Sequence, residues 1–332
     1  RALRQPLDLD LPERKIVLSD EGKVTSVDFY ERFDAHKVIE EFMVQANVAA
    51  AEELVRLKRP LLFRVHEEPS PEKLNTLREV AEASGFTLAK GQVLKTAHLN
   101  RLLQQAEGTD FDELMNITLL RSMTQAYYNP VNFGHFGLAL RNYAHFTSPI
   151  RRYSDLIVHR SLISGHGWGD DGLSQADLES LDETAKQISD TERRSMMAER
   201  DTTDRYLAAY LSDRVGAAFK GRVSGVQRFG LFDGLVPVRS VGREFFHYDA
   251  DTQTLTGSET GLSIGVGQRV TVRLTEAAPM TGGLILELLE IEGDALPAGG
   301  DGRRRGRGGP RKPGRATARS RAIKRKVHRK RT

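Results

Sequence analysis

Two adjacent guanidinium groups, Arg151 and Arg152, follow the pair Ser148 and Pro149 at the end of a stretch rich in aromatic and apolar side chains. Apolar and aromatic residues across Phe136–Phe146 predict a strand, and Ser then Pro are residue types favoured at the N-cap and first position of a helix. Both arginines then fall in the first turn of the helix that follows. A cation there opposes the helix macrodipole by a few tenths of a kcal/mol up to about 1 kcal/mol, so the pair wants a compensating anion. A phosphate supplies it. First-turn N–H groups and two planar forks together make a grip for a sugar-phosphate backbone. An ion pair with a nearby acid such as Asp155, or plain solvation, accounts for the same spacing equally well.

Carboxylates are the second chemical resource. A long helix from about Gln175 to Val215 brings Leu181, Ile188, Glu199 and Tyr206 into one narrow sector, so Glu199 occupies an otherwise apolar seam. Burying a lone charge costs several kcal/mol, so Glu199 needs a partner. A structural ion pair with a local arginine and a carboxylate aimed at a reactive channel both meet that need. Glu40 and Glu41 lie on a helix that Asp34 can cap, running from about Ala35 to Leu57. They sit beside a stripe of Ile39, Met43, Ala46, Ala50 and Leu57, where the bland reading is a solvated flank.

The remaining elements must position these groups. Lys15–Leu18 and Lys23–Tyr30 flank a turn and read as a β-hairpin. Ser70, Pro71 and Glu72 open a helix that carries Leu74, Leu77 and Val80 and ends at Gly85. Helical periodicity continues over 95–127 through Leu99, Leu102, Leu103, Leu114, Ile117 and Leu120, broken at Gly108. Residues 126–133 form an aromatic, turn-rich connection to the expected strand. Tyr127, Tyr128, Phe133 and Tyr143 suit either base stacking or packing on one another. At Ala217 the pattern changes to short glycine-punctuated β segments, which suggests a small barrel after a boundary at Gly216.

Composition narrows the function classes. The 332 residues have room for two domains and a sizeable core. With no cysteine, disulfides, thiolate catalysis and cysteine-ligated zinc are excluded, and a reducing cytoplasm is the expected compartment. No transmembrane run or signal-peptide pattern is present, so no membrane partner is expected. The first residue is Arg1 rather than Met, which reads as a fragment. Of 49 Lys and Arg, 15 lie in 303–332, a stretch without acids, leaving 34 basic against 45 acidic residues in the remainder. The body is thus net −11 and the tail +15. From Gly299 the chain loses hydrophobic periodicity, so the tail is expected to be disordered and to bind structured RNA or ribosomes through its charge. A solubilising role is the alternative.

The segment HFGLALRNYAHFTSPIRRYSDLIVHR resembles the C-terminal half of the catalytic domain of the ribonuclease II, or RNB, family of exoribonucleases. IEEFMVQANVA at 39–49, RVHEEPSPEKL at 64–74 and MAERD at 197–201 agree with it. The resemblance implies an α+β fold: a C-terminal portion of an RNB catalytic domain over 1–215, an S1-type OB-fold barrel over 216–293, and a basic tail over 299–332. It implies a 3′-to-5′ exoribonuclease that hydrolyses RNA processively to 5′-nucleoside monophosphates. Arg151 and Glu199 are then catalytic, and Arg152, Tyr143, Glu40, Glu41, Arg228, Phe229 and Phe232 face RNA. The barrel segment differs from the S1 pattern at Pro237, where many such modules have histidine, and in a shortened hairpin around Asp233. The family's Mg²⁺ is held by clustered aspartates in the N-terminal half of the catalytic domain. No such cluster occurs here, Asp8 with Asp10 and Asp170 with Asp171 being the nearest candidates. Metal ligands are therefore expected upstream, and this chain by itself is expected to be inactive. The alternative is a non-catalytic RNA-binding protein that uses the barrel and tail.

Overall fold

In the computed structural model, the described residues are 1–9, 13–89, 94–109, 111–232, 234–242, 244–249 and 253–296, with only the backbone of Phe232. The architecture is mixed helix and strand, and residues 1–297 form one compact unit. Strands β1 (Arg14–Leu18) and β2 (Val24–Phe29) make the expected antiparallel hairpin. Helix α1 (Asp34–Arg56) follows. Its buried side is Val44, Asn47, Ala50, Ala51 and Leu54, whereas Ile39 is 60% and Met43 39% exposed. The expected stripe was therefore misplaced by part of a turn. Apolar residues occupy several faces of this helix, and the choice among them falls to Asn47 and the alanines, which let α1 close onto strand β3 (Phe63–Val65) and helix α5 (Tyr153–His166).

Helix α2 (Pro71–Ala83) starts as the sequence indicates, with Ser70 Oγ accepting from the Lys73 N–H. It packs with α3 (Thr96–Ala106) and α4 (Asp112–Ser122) around Leu77, Leu99, Leu102, Met115 and Leu119. Leu120, one of the periodic apolar positions, is 47% exposed. The aromatic connection forms strand β4 (Tyr127–Asn129), antiparallel to β3. After α5 come a short α6 (Gln175–Glu179) and the 32-residue α7 (Leu181–Ser212), separated at Ser180 where one continuous helix was expected.

The β segments after Gly216 form three small sheets. One is β5 (Ala218–Arg222), β12 (Arg269–Ala278), β13 (Gly283–Ile291) and β14 (Asp294–Ala295). The second is β6 (Gly225–Gln227), β7 (Gly230–Phe232) and β8 (Val236–Pro237). The third is β9 (Phe246–Asp249), β10 (Thr254–Gly257) and β11 (Ser263–Gly265). They share one core around Val226, Leu231, Leu255, Ile264 and Leu288, next to a one-turn helix α8 (Val238–Val241). Strands β9 to β11 have no hydrophobic run in the sequence because their main contributions to the core are single residues, Phe246, Leu255 and Ile264. The tip between β12 and β13 rests on α7. Gly282, at φ +75°, lies so close that a Cβ there would meet the Asp204 Cβ at 2.9 Å.

No strand spans Phe136–Phe146. Residues 135 and 140 pair across a turn instead, and the segment is stitched to β3 by Arg64 N–H to Tyr143 O (2.9 Å), His66 N–H to Gly134 O (3.0 Å) and Phe136 N–H to His66 O (2.7 Å). Three histidines lie in this seam. His66 Nδ1 accepts from Gly137 N–H (2.9 Å), so its Nε2 proton goes to Thr124 O (2.9 Å). A Cβ on residue 137 would approach that ring to 3.0 Å, which keeps the position glycine. His135 stacks obliquely on His66, and His145 Nδ1 pairs with the Tyr128 hydroxyl (2.9 Å).

Burial, reinforced by neighbouring positive charge, pushes His135 and His145 down to about 3. Both are neutral in the fold, whereas the unfolded chain takes up protons near pH 6.5. Their contribution to stability is thus complete above about pH 6.5 and is lost as pH falls toward about 3, by at most about 1.4 kcal/mol per pH unit for each ring. The expected result is that both imidazole Cε1–H resonances hold neutral-ring positions down to about pH 4 in the folded protein, while the urea-derived unfolding free energy falls over the same interval. Titration of both rings near pH 6.5 in folded protein would contradict this.

Candidate functional site

The corner between residues 143 and 155 is built around a carboxylate. Asp155 has no exposed side-chain surface. Its Oδ1 accepts from the Ser148 N–H (2.8 Å) and from Arg152 Nη2 (2.7 Å), and its Oδ2 accepts from Ser154 Oγ (3.0 Å). Residues 148–152 therefore make one separate turn, with the N–H groups of Arg151 and Arg152 bonded to Ser148 O, and Arg152 is extended at φ −125°. Helix α5 begins at Tyr153 rather than Pro149. The arginines precede the helix, and the acid in its first turn is the one the dipole favours.

The two arginines consequently have different environments. Arg152 is largely buried in its ion pair with Asp155, the arrangement that nearby acids allowed from the sequence. Arg151 is exposed, and its side chain has no hydrogen bond or ion pair among the described residues, beside an Ile150 that is 98% exposed. Two buried polar atoms of the corner, Thr147 Oγ1 and Arg152 Nε, also lack a hydrogen-bond partner there. From α1, Asn47 fixes the opposite side. Its carbonyl accepts from the N–H groups of Phe146 (2.8 Å) and Thr147 (3.2 Å), and its amide donates to the Tyr143 hydroxyl (3.1 Å).

Tyr143 is therefore a core residue, 7% exposed, edge-on to His135 and His145, and its ring has no free face for a base. Burial, only partly offset by the Asn47 bond, raises its hydroxyl above the usual range. Glu41 is half-buried. Burial opposes its ionisation, but hydrogen bonds from Gln45 and Arg4 hold its carboxyl below the ordinary range, and it binds Arg4 at 2.9 Å. Glu40 is exposed and paired with Arg32. Glu199 is exposed, as are the other residues over 193–202 of α7, so the expected apolar seam stops short of it and no desolvation forces a partner on it. The carboxylate that α7 does turn inward is Glu192, bonded to Arg64 at 2.6 Å. Arg64 in turn lies over the Tyr128 ring at 4.7 Å. Arg228 and Phe229 stand exposed at the turn between β6 and β7, while the Phe232 side chain and Asp233 lie outside the described residues.

Sequence reasoning missed Asn47, Arg64, His135, His145 and Glu192. The available signal was the polar residues within RVH at 64–66 and NYAH at 142–145, in segments otherwise apolar enough to be buried. For a divalent metal the described residues offer no fit. No three His, Asp or Glu side chains converge among them; Asp8 is paired with Arg1, Asp170 and Asp171 are exposed, and Asp10 lies outside the described residues.

Comparison with known proteins agrees with this architecture. Residues 1–165 match the RNB domain. Ribonuclease R of Aquifex aeolicus is 35% identical over 292 residues, 86% of this chain and 41% of that protein, and ribonuclease R of Escherichia coli is 37% identical over 290 residues, 82% and 36% respectively. Solved structures of Mycoplasma genitalium RNase R, in the apo form and in complex with ribose methylated single-stranded RNA, each superpose with a TM-score of 0.80 at 29% identity, covering 86% of this chain and 47% of theirs. The chain thus spans less than half the length of these relatives. Across the part it does span, it belongs, with ribonuclease R, to the proteins built on the RNB domain.

Proposed function

We propose that this chain is the C-terminal portion of a 3′-to-5′ exoribonuclease of the ribonuclease R type, one that degrades RNA processively to 5′-nucleoside monophosphates. Its part is to grip the strand, and the Mg²⁺ ligands belong to a region upstream. The observation that carries the reading is the corner itself. Arg151 stands unpaired on a turn that Asp155 and Asn47 hold from both sides, next to two buried polar atoms that lack partners. A backbone phosphate brings an oxygen for the exposed fork of Arg151, a charge-assisted contact. RNA bound to the similar Mycoplasma genitalium protein supports the same ligand class. Mg²⁺, when bound by upstream ligands, supplies water activation and stabilises the leaving oxygen. The residues described here position the strand.

In this proposal the three sheets after Gly216 act as an S1-type OB-fold barrel, with Arg228 and Phe229 on its binding face and the basic tail adding affinity for structured RNA or ribosomes. The protein would work in the cytoplasm. The exposed apolar side chains Ile39, Phe42 and Met43 on α1 would be covered by the upstream half of the RNB domain. A second reading, a binding protein without hydrolysis, draws on the lack of a convergent metal-donor set among the described residues.

Three outcomes are expected. Incubated with labelled single-stranded RNA and Mg²⁺, the purified chain should retard the RNA without shortening it; progressive shortening that survives removal of contaminating nucleases would show that its own residues suffice for cleavage. In a chain extended by the upstream region, Arg151→Ala should lower single-turnover cleavage about a hundredfold to a thousandfold with little loss of binding or melting temperature, and Arg151→Lys should restore only part. Wild-type cleavage with a lowered melting temperature would assign Arg151 a purely structural role. Deleting residues 303–332 should flatten the dependence of log affinity on log salt by about 0.7 for each phosphate that the tail no longer neutralises, and an unchanged slope would make the tail a bystander.

A further inference from the structure

A cleft of about 840 Å³ opens between α7, the barrel and the helical body, and three arginines from three distant elements line it: Arg14 on β1, Arg121 in the last turn of α4 and Arg200 on α7. Neither Arg121 nor Arg200 has a side-chain hydrogen bond or ion pair among the described residues. Carboxylates are not scarce. Outside the tail, acids outnumber bases by 45 to 34, and Arg4, Arg32, Arg56, Arg64, Arg152 and Arg160 are all paired. Asp204, one turn along α7 from Arg200 and in the same cleft, does not close on it. In a body of net negative charge, two unpaired guanidiniums facing one concavity focus positive potential there and draw anions.

A second concavity of about 730 Å³ adjoins the first, with Arg121 and Gln253 lining both. Its walls are mainly apolar, from Leu77 and Val80 of α2, Leu114 of α4 and Val266 of the barrel, with Phe111 at 42% exposure and edge-on to Phe86. Gln253 and Thr118 add hydrogen-bonding groups and Glu79 a carboxylate, while the Gln268 amide is already engaged by Gly265 N–H (2.8 Å) and Ser263 O (3.4 Å). Cationic forks beside an apolar slot with one exposed ring and a few polar groups reproduce, in order, what a phosphate ester and its planar base require.

We infer that this cleft is a nucleotide-binding site separate from the Arg151 corner, in which Arg121 and Arg200 hold a phosphate ester and the adjoining trough takes its base. The ester is carried either by an RNA strand or by a free nucleoside monophosphate. Such a site does not depend on the exoribonuclease reading, since it is made of different residues.

The test uses the whole purified chain with two probes, fluorescein-labelled oligoadenylate and 5′-adenosine monophosphate. Each is measured by anisotropy or calorimetry against wild type, Arg121→Gln/Arg200→Gln, Asp204→Asn and Phe111→Ala. The double variant should lose about tenfold or more in affinity, and with oligoadenylate the salt slope should fall by about 1.4, the value for two single-strand phosphates. Asp204→Asn, which removes the opposing charge, should tighten binding. This gain cannot come from misfolding, so it keeps the test decisive if the arginine variant is unstable. Phe111→Ala should weaken both probes. The basic tail is common to all variants and cancels. Effects confined to oligoadenylate assign the site to a strand, and effects confined to the monophosphate assign it to free nucleotide. The inference is overturned if wild type binds neither probe, or if the double variant and Asp204→Asn both keep wild-type affinity for both.

Discussion

The buried carboxylate of Asp155 is the interaction on which the corner depends. One side chain ties down a backbone N–H, a hydroxyl and a guanidinium, and in doing so it decides where α5 begins and which of two neighbouring arginines faces solvent. A carboxylate with no exposed surface is unfavourable unless its acceptor sites are filled, and here they are. Removing Arg152 or Asp155 alone leaves the other's charge buried without its partner, a loss on the order of 3–5 kcal/mol. Arg151 owes its freedom to that pairing. Because Arg152 already satisfies Asp155, the second guanidinium has no internal claim on it and remains available to an external anion.

Charge around the corner is kept from accumulating by the histidines. Arg64, Arg151 and Arg152 all bear on His145, and burial with those cations keeps its ring neutral. Were His66, His135 and His145 protonated, three further positive charges would share a space already holding three guanidiniums, opposed only by Asp155 and Glu192 among the ion pairs described there. Neutral imidazoles instead serve as directional hydrogen-bonding and packing groups that brace Tyr128, Tyr143 and the 134–140 turn. The exposed guanidinium of the corner is therefore that of Arg151.

Much of the architecture was legible because local rules suffice for it. The Ser70–Pro71 start of α2, the hairpin of β1 and β2, and the change to strands after Gly216 are each written in adjacent residues. What was not legible depended on distant partners. The start of α5 turns on Asp155, seven residues past Ser148, which accepts from a Ser148 N–H that no helical carbonyl could serve. The buried face of α1 turns on Asn47, whose partners are 96 to 100 positions away. Glu199 shows the same limit differently. Helical projection placed it correctly relative to Leu181 and Tyr206, but projection cannot say that residues 193–202 stay exposed.

The exposed stretch of α7 lies between two attachments. Its 32 residues span about 48 Å. Near one end Ser189 Oγ accepts from the Tyr128 N–H (3.0 Å) and Glu192 binds Arg64 (2.6 Å), so the helix is fixed to the strand beneath the arginine corner. Near the other, the Gly282 turn sits against Asp204 and Arg205, and Arg222 of the barrel reaches Glu113 of α4 at 3.0 Å. Between these attachments residues 193–202 are exposed, and the helix's own i to i−4 hydrogen bonds supply its stiffness over that stretch. The sheets after Gly216 also meet the helical body directly, since a Cβ on Gly267 would lie 3.0 Å from the Leu114 Cβ of α4, so α7 is not the sole link between them.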